Sequence, residues 1–176
     1  MSGIRSIHRG PVAKGYALAA TAPIYVDSDD NQLKLLPAGS GTTEIIVPLA
    51  TERTLTPVVA FTLTALQSGT NVFLGPTAGF AITLPAVAAG LHYRFTVADN
   101  FITTNYTIIT PALADIIQGG ATVAGSDVPA ADEDTISFVA SAELKGDFVD
   151  VWSDGLSWFV NGRGTTAGSI TFTQAG

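Results

Sequence analysis

From Val58 to the C-terminus the chain is a succession of short apolar runs, most of them closed by Gly, Pro, Asn or Asp. They cover Val58 to Thr64, Asn71 to Leu74, Phe80 to Leu84, Leu91 to Val97, Tyr106 to Thr110, Ile136 to Ala140, Phe148 to Trp152, Trp158 to Val160 and Ile170 to Phe172. In Phe80-Ala81-Ile82-Thr83-Leu84 the large groups fall at every second position, which puts them on one face of a strand. Tyr93, Phe95 and Val97 share one face in the same way, and His92, Arg94 and Thr96 point to the other. Many of the chain's 22 threonines lie in these runs, and a β-branched polar residue suits the solvent side of a pleated strand. Short strands with frequent turn signals predict an all-β fold, an antiparallel β-sandwich or a jelly-roll-like domain.

Two segments invite a helical reading. Ala130 to Lys145 lacks Gly and Pro, opens on acids and ends at Lys145-Gly146. Its centre, Thr135-Ile136-Ser137-Phe138-Val139, is rich in β-branched and aromatic residues and favours a strand. Leu113 to Gln118, after Pro111, is a candidate helical turn.

Upstream the pattern changes. Ile24-Tyr25-Val26 and Leu33 to Leu36 flank Asp27-Ser28-Asp29-Asp30-Asn31, whose short polar side chains suit a turn, so a hairpin is expected over residues 22 to 36. Pro37 to Thr43 reads as a flexible joint of small residues. The expected division is an extended N-terminal arm with a hairpin over residues 1–50 and a β domain over 51–176.

Composition removes several function classes. Only 13% of residues are charged against 47% hydrophobic, so there is ample material for a core. The absence of cysteine excludes a disulfide framework, a thiolate metal site and a cysteine nucleophile. A net charge of −7 argues against binding a nucleic-acid backbone, which needs clustered Lys and Arg. Residues 1 to 26 nevertheless hold Arg5, Arg9 and Lys14 and no acid. Only Tyr16 to Ala20 is continuously apolar there, too short for a secretory signal, and no stretch approaches a membrane helix. A mature, soluble protein with no membrane partner is expected.

No catalytic constellation emerges. A Ser-His-acid triad needs a placed histidine, and only His8 and His92 exist. Gly155-Leu156-Ser157-Trp158-Phe159 begins like a nucleophile elbow but carries Phe159 where glycine is required. Asp132-Glu133-Asp134 are consecutive and would splay around a loop; Asp147, Asp150 and Asp154 are a more interesting acidic set, with Asp150 expected at an edge or surface. Asp27, Asp29 and Asn31 have the spacing of a calcium loop, yet Gln32 and Ala38 replace its glycine and its bidentate glutamate. Gly119-Gly120 lacks the Lys-Ser/Thr sequel of a phosphate loop. No metal, cofactor or enzyme activity is expected. Trp152 and Trp158 stand on consecutive strands: exposed together they would form a glycan-stacking platform, and buried together they would belong to the core.

Gly146-Asp147-Phe148-Val149-Asp150-Val151-Trp152-Ser153-Asp154-Gly155-Leu156-Ser157-Trp158-Phe159-Val160-Asn161-Gly162 resembles the closing hairpin of small β-rich virion proteins of tailed bacteriophages, with Leu156-Ser157 in place of the more usual polar pair. Phe80 to Pro85, Gly90-Leu91 and Tyr93 to Val97 look like the preceding part of the same module, and Ile24 to Asn31 with Leu33 is similar to another virion segment. The resemblance covers about residues 70 to 173 and supplies no catalytic residue. It implies a structural virion protein: a capsid decoration or cement protein on the outer surface of the head, partnered by the major capsid protein and assembled as a homotrimer. The alternative is a tail-fibre or receptor-binding, glycan-binding β module. On the first reading Ile4, Arg5, Ile7, Arg9, Lys14 and Tyr16 form the capsid-binding arm, the cations meeting acidic capsid groups and the isoleucines filling apolar notches.

Overall fold

The computed structural model describes residues 53–75, 78–100 and 103–174 in full, together with three backbone strands nearer the N-terminus. The chain divides into two compact units, Met1–Thr51 and Glu52–Gly176. In the first, β1 (Ile24–Asp27), β2 (Gln32–Leu35) and β3 (Ile45–Pro48) form an antiparallel sheet in that order. Ile24 pairs with Leu35 and Asp27 with Gln32, so the expected hairpin is present. A third strand, β3, pairs with β2 beyond the Gly-rich joint.

The second unit is all β, apart from short 3-10 turns at Ala65–Gln67 and Pro111–Leu113. Its first six strands are β4 (Arg53–Leu55), β5 (Phe61–Thr62), β6 (Thr70–Leu74), β7 (Ala81–Thr83), β8 (His92–Val97) and β9 (Tyr106–Ile109). They alternate between two sheets: β4, β6 and β8 lie side by side in one, and β5, β7 and β9 in the other. Within each set the neighbours are parallel. This corrects the expectation of a wholly antiparallel domain. Parallel neighbours need a long crossover, commonly a helix; here each crossover is a strand of the other sheet, so no helical segment betrays the arrangement.

The remaining strands are β10 (Ile117–Val123), β11 (Ser126–Glu133), β12 (Thr135–Phe138), β13 (Phe148–Ser153), β14 (Trp158–Gly164) and β15 (Ile170–Thr173). They complete a seven-stranded sheet, β11-β10-β14-β13-β8-β6-β4, and a five-stranded sheet, β15-β12-β9-β7-β5. Both are mixed: β13 is antiparallel to β8 and β14, whereas β10 runs parallel to β14.

One core joins the inner faces. Tyr93, Phe95, Val149, Val151, Trp158 and Val160 enter it from the seven-stranded sheet, and Ile82, Tyr106, Ile108, Ile136, Phe138 and Ile170 from the other. Burying each such side chain contributes about 1.5–3 kcal/mol. Two tyrosines bring a polar tip inside and satisfy it: the Tyr93 hydroxyl donates to the Thr64 carbonyl at 2.9 Å, and that of Tyr106 to the Gly75 carbonyl at 2.8 Å. Desolvation raises both phenols above their ordinary pKa.

The centre of the first ambiguous segment is strand, β12, and the second is a 3-10 turn and a bend that lead into β10. All four residues of β12 are buried, so no helical or strand period is expressed there. The turn placed at Leu113 to Gln118 sits earlier, at Pro111–Leu113, because positive φ at Ala112 and Leu113 stops a helix and Ile117 already starts β10. The run from Val58 yields only the two residues of β5, and Val58 and Val59 are exposed.

Candidate functional site

The outer face of the seven-stranded sheet brings polar and aromatic side chains together. Strand alternation puts His92, Arg94 and Thr96 outward from β8, Phe148, Asp150 and Trp152 from β13, and Phe159, Asn161 and Arg163 from β14. The register lines them up in rows. Trp152 lies between His92 and Phe159, and Asp150 lies between Arg94 and Asn161. Trp152 and Phe159 are stacked, with centroids 6.2 Å apart and planes 22° off parallel.

Asp150 is the electrostatic centre of this face. Arg94 donates through Nη1 to both carboxylate oxygens, at 3.1 and 3.3 Å, and its guanidinium carbon lies 3.9 Å from the centroid of the Phe148 ring. His92 Nε2 is 3.9 Å from the same carboxylate. Arg94 is thus held by one ion pair and one ring, and the Asp150 charge is largely neutralised.

Beyond β14 the face sinks into a groove of about 300 Å³ along β10 and β11, between Asn161 on one side and Asp127 and Pro129 on the other. Gly120 makes the floor, paired across to both Asn161 and Pro129. A Cβ on Gly119 would stand 2.3 Å from the Val160 carbonyl oxygen, and one on Gly120 would stand 2.6 Å from that of Val128. The glycine pair therefore serves close backbone approach between β10 and its neighbours, a use its spacing alone does not reveal.

The other acidic groups have separate structural tasks. Asp147 is buried; its Oδ1 accepts from the Thr165 amide and hydroxyl, and its Oδ2 from the Leu144 amide. Asp154 shapes the β13–β14 turn, accepting from the amides of Leu156 and Ser157, and these bonds, that of Ser157 foremost, hold its carboxyl below the usual carboxylate range. Asp134 is buried and accepts from the Thr135 hydroxyl, while Asp132 accepts from Gln118. Among the described residues no three His, Asp or Glu gather as metal ligands. Among the described residues no helix is long and apolar enough to cross a membrane.

The two tryptophans are not brought together. Trp158 is completely buried, 6.0 Å from Tyr93 between ring centroids, whereas Trp152 is 41% exposed. Trp158 pairs with Ser153 and Trp152 with Phe159, so strand parity sends them to opposite faces. Neither joint expectation, a shared platform or a shared core, describes the pair. The proposed capsid-binding residues, Ile4, Arg5, Ile7, Arg9, Lys14 and Tyr16, and most of the Asp27 to Asn31 turn lie outside the described residues.

No protein-family model matches the chain, and comparison with curated proteins finds no match.

Proposed function

We propose that the protein is a non-enzymatic structural component of a tailed-phage virion, decorating the outside of the head and stabilising it. The observation that carries this reading is the division at Thr51. The body beyond it has its own core and holds four basic against eleven acidic groups, whereas the segment before it begins with Arg5, Arg9 and Lys14. A decoration protein needs such a division: a body that folds by itself, and a segment that gains contact area over neighbouring capsid subunits. The likeness of Gly146 to Gly162 to virion hairpins points the same way. In this proposal the body is a sandwich-like domain, residues 1–22 form the docking arm, and the assembly is a homotrimer on the capsid's three-fold positions.

Exposed leucines support contact between subunits. Leu66, Leu113 and Leu156 precede β6, β10 and β14, whose pairings through β8 and β13 set all three starts at one end of the seven-stranded sheet. Exposed apolar groups at one end of a sheet are suited to burial against a partner.

The test is reconstitution on heads that lack the protein. The full chain should bind and raise the temperature of head rupture, and a chain without residues 1–22 should fold but not bind. Labelling confined to the tail in electron micrographs would replace the head assignment with the receptor-binding tail module.

A further inference from the structure

We infer that the outer face of the seven-stranded sheet is a binding site for a neutral oligosaccharide, seated on Trp152 and running past Asn161 into the Gly120 groove. This goes beyond the structural role proposed above and holds wherever on a virion the protein sits. Three observations converge on it.

The first is an exposed aromatic ring set in a rigid frame. Trp152 is 41% exposed although it lies inside a strand, and its cross-strand partner Phe159 braces it. An indole held this way offers a fixed apolar surface to the C–H face of a sugar ring at little cost in side-chain entropy.

The second is the groove of about 300 Å³, lined by Asn161, Thr122 and Asp127 around a floor that bears no side chain. Amide, hydroxyl and carboxylate groups together supply donors and acceptors for sugar hydroxyls. Gly120 is two strands and one row away from Trp152. At ordinary strand spacing and rise that separation is about 12 Å. A single hexose does not span it, so the ligand is an oligomer.

The third is charge. Arg94 is committed to Asp150 and Phe148, and the exposed Arg163 shares its row with the acidic Asp127, one on each side of Thr122. With no cluster of uncommitted cations among its described residues, this face offers little to concentrate a sulfated, phosphorylated or sialylated ligand.

The test is titration of the full chain with neutral trisaccharides of glucose, of N-acetylglucosamine and of mannose, and in parallel with a sialylated trisaccharide and a sulfated heparin fragment. The expected result is a saturable change in tryptophan emission with at least one neutral sugar and none with the charged pair. Trp152→Ala and Asn161→Ala, read by calorimetry, should each weaken binding on the order of tenfold, about 1.4 kcal/mol. Both variants should keep the urea unfolding transition of the parent, and Leu66→Ala should bind as the parent does. The proposal fails if no neutral sugar gives a saturable response, if only the charged sugars bind, or if Asn161→Ala and Trp152→Ala bind undiminished. It also fails if dilution of the protein alone changes the emission and Trp152→Ala dissociates an oligomer, for then the face belongs to a contact between copies.

Discussion

Trp152 and Trp158, six residues apart on paired strands, face opposite sides of one sheet: the first is partly in solvent and stacked on Phe159, the second sealed beside Tyr93. Their fluorescence should therefore separate into two populations. Acrylamide should quench a red-shifted component and leave a blue-shifted one, and Trp152→Phe should remove the quenchable component alone. A uniform response to quencher would contradict the opposed placement.

Asp147 ties the loop at Leu144 to Thr165, just past the end of β14, through three hydrogen bonds. Asp147→Ala would leave two amides and a hydroxyl short of their acceptor, at a cost of about 2–4 kcal/mol. Urea unfolding should show a lower midpoint at an unchanged slope. Asp147→Asn keeps one acceptor oxygen and should fall between the two.

The depressed carboxyl of Asp154 makes the β13–β14 turn acid-sensitive. Folding favours its ionised form, so its contribution is present above the unfolded carboxyl value, about 3.9, and is lost as pH falls through the lower folded value. Carbon-detected NMR should place its titration midpoint below that of an unconstrained aspartate. Asp154→Ala should loosen the turn amides of Leu156 and Ser157 in hydrogen exchange.

Glycine substitutions should divide sharply. Gly119→Ala sets a methyl group against the Val160 carbonyl, and the backbone of β14 cannot give way, so a loss above about 3 kcal/mol or outright misfolding is expected. Gly125→Ala and Gly168→Ala meet open space and carry only the strain of positive φ, about 1–2 kcal/mol each. Comparable thermal shifts at all three sites would argue against the close approach of β10 to β14.

The Arg94–Asp150 pair is partly shielded and backed by Phe148. A double-mutant cycle with Arg94→Met and Asp150→Asn should return a coupling of about 0.5–1.5 kcal/mol, falling as salt is raised. Zero coupling at low salt would mean that the pair orders the face without stabilising it.

How far the sequence discloses this molecule depends on what each strand buries. β8 and β13 read clearly because one face enters the core and the other meets solvent, which prints an alternating pattern. Two of the longer strands, β10 and β11, escape such reading. β10 contains two glycines where neighbouring backbone comes too close for a side chain, and β11 is an edge strand bearing Asp127, Pro129 and Glu133, residues that discourage further pairing. Parallel neighbours leave no local trace, since Thr70 and Tyr93 meet only after the chain has visited the other sheet. The acidic set was visible as residues but not as roles: what distinguishes Asp147, Asp150 and Asp154 is burial and partner, and neither is written in their spacing.

The sheet order also has a consequence for synthesis on the ribosome. β13 and β14 stand between β10 and β8, so a chain that has emerged only as far as β12 holds the seven-stranded sheet as two disconnected pieces, β11-β10 and β8-β6-β4. The Gly119-Gly120 edge and the outer edge of β8 both wait, unpaired, for residues not yet translated. A chain truncated after Phe138 should thus be an aggregation-prone species captured by chaperones, and one that continues past Gly164 should escape them. Joining the two pieces of the seven-stranded sheet falls to the β13–β14 hairpin alone.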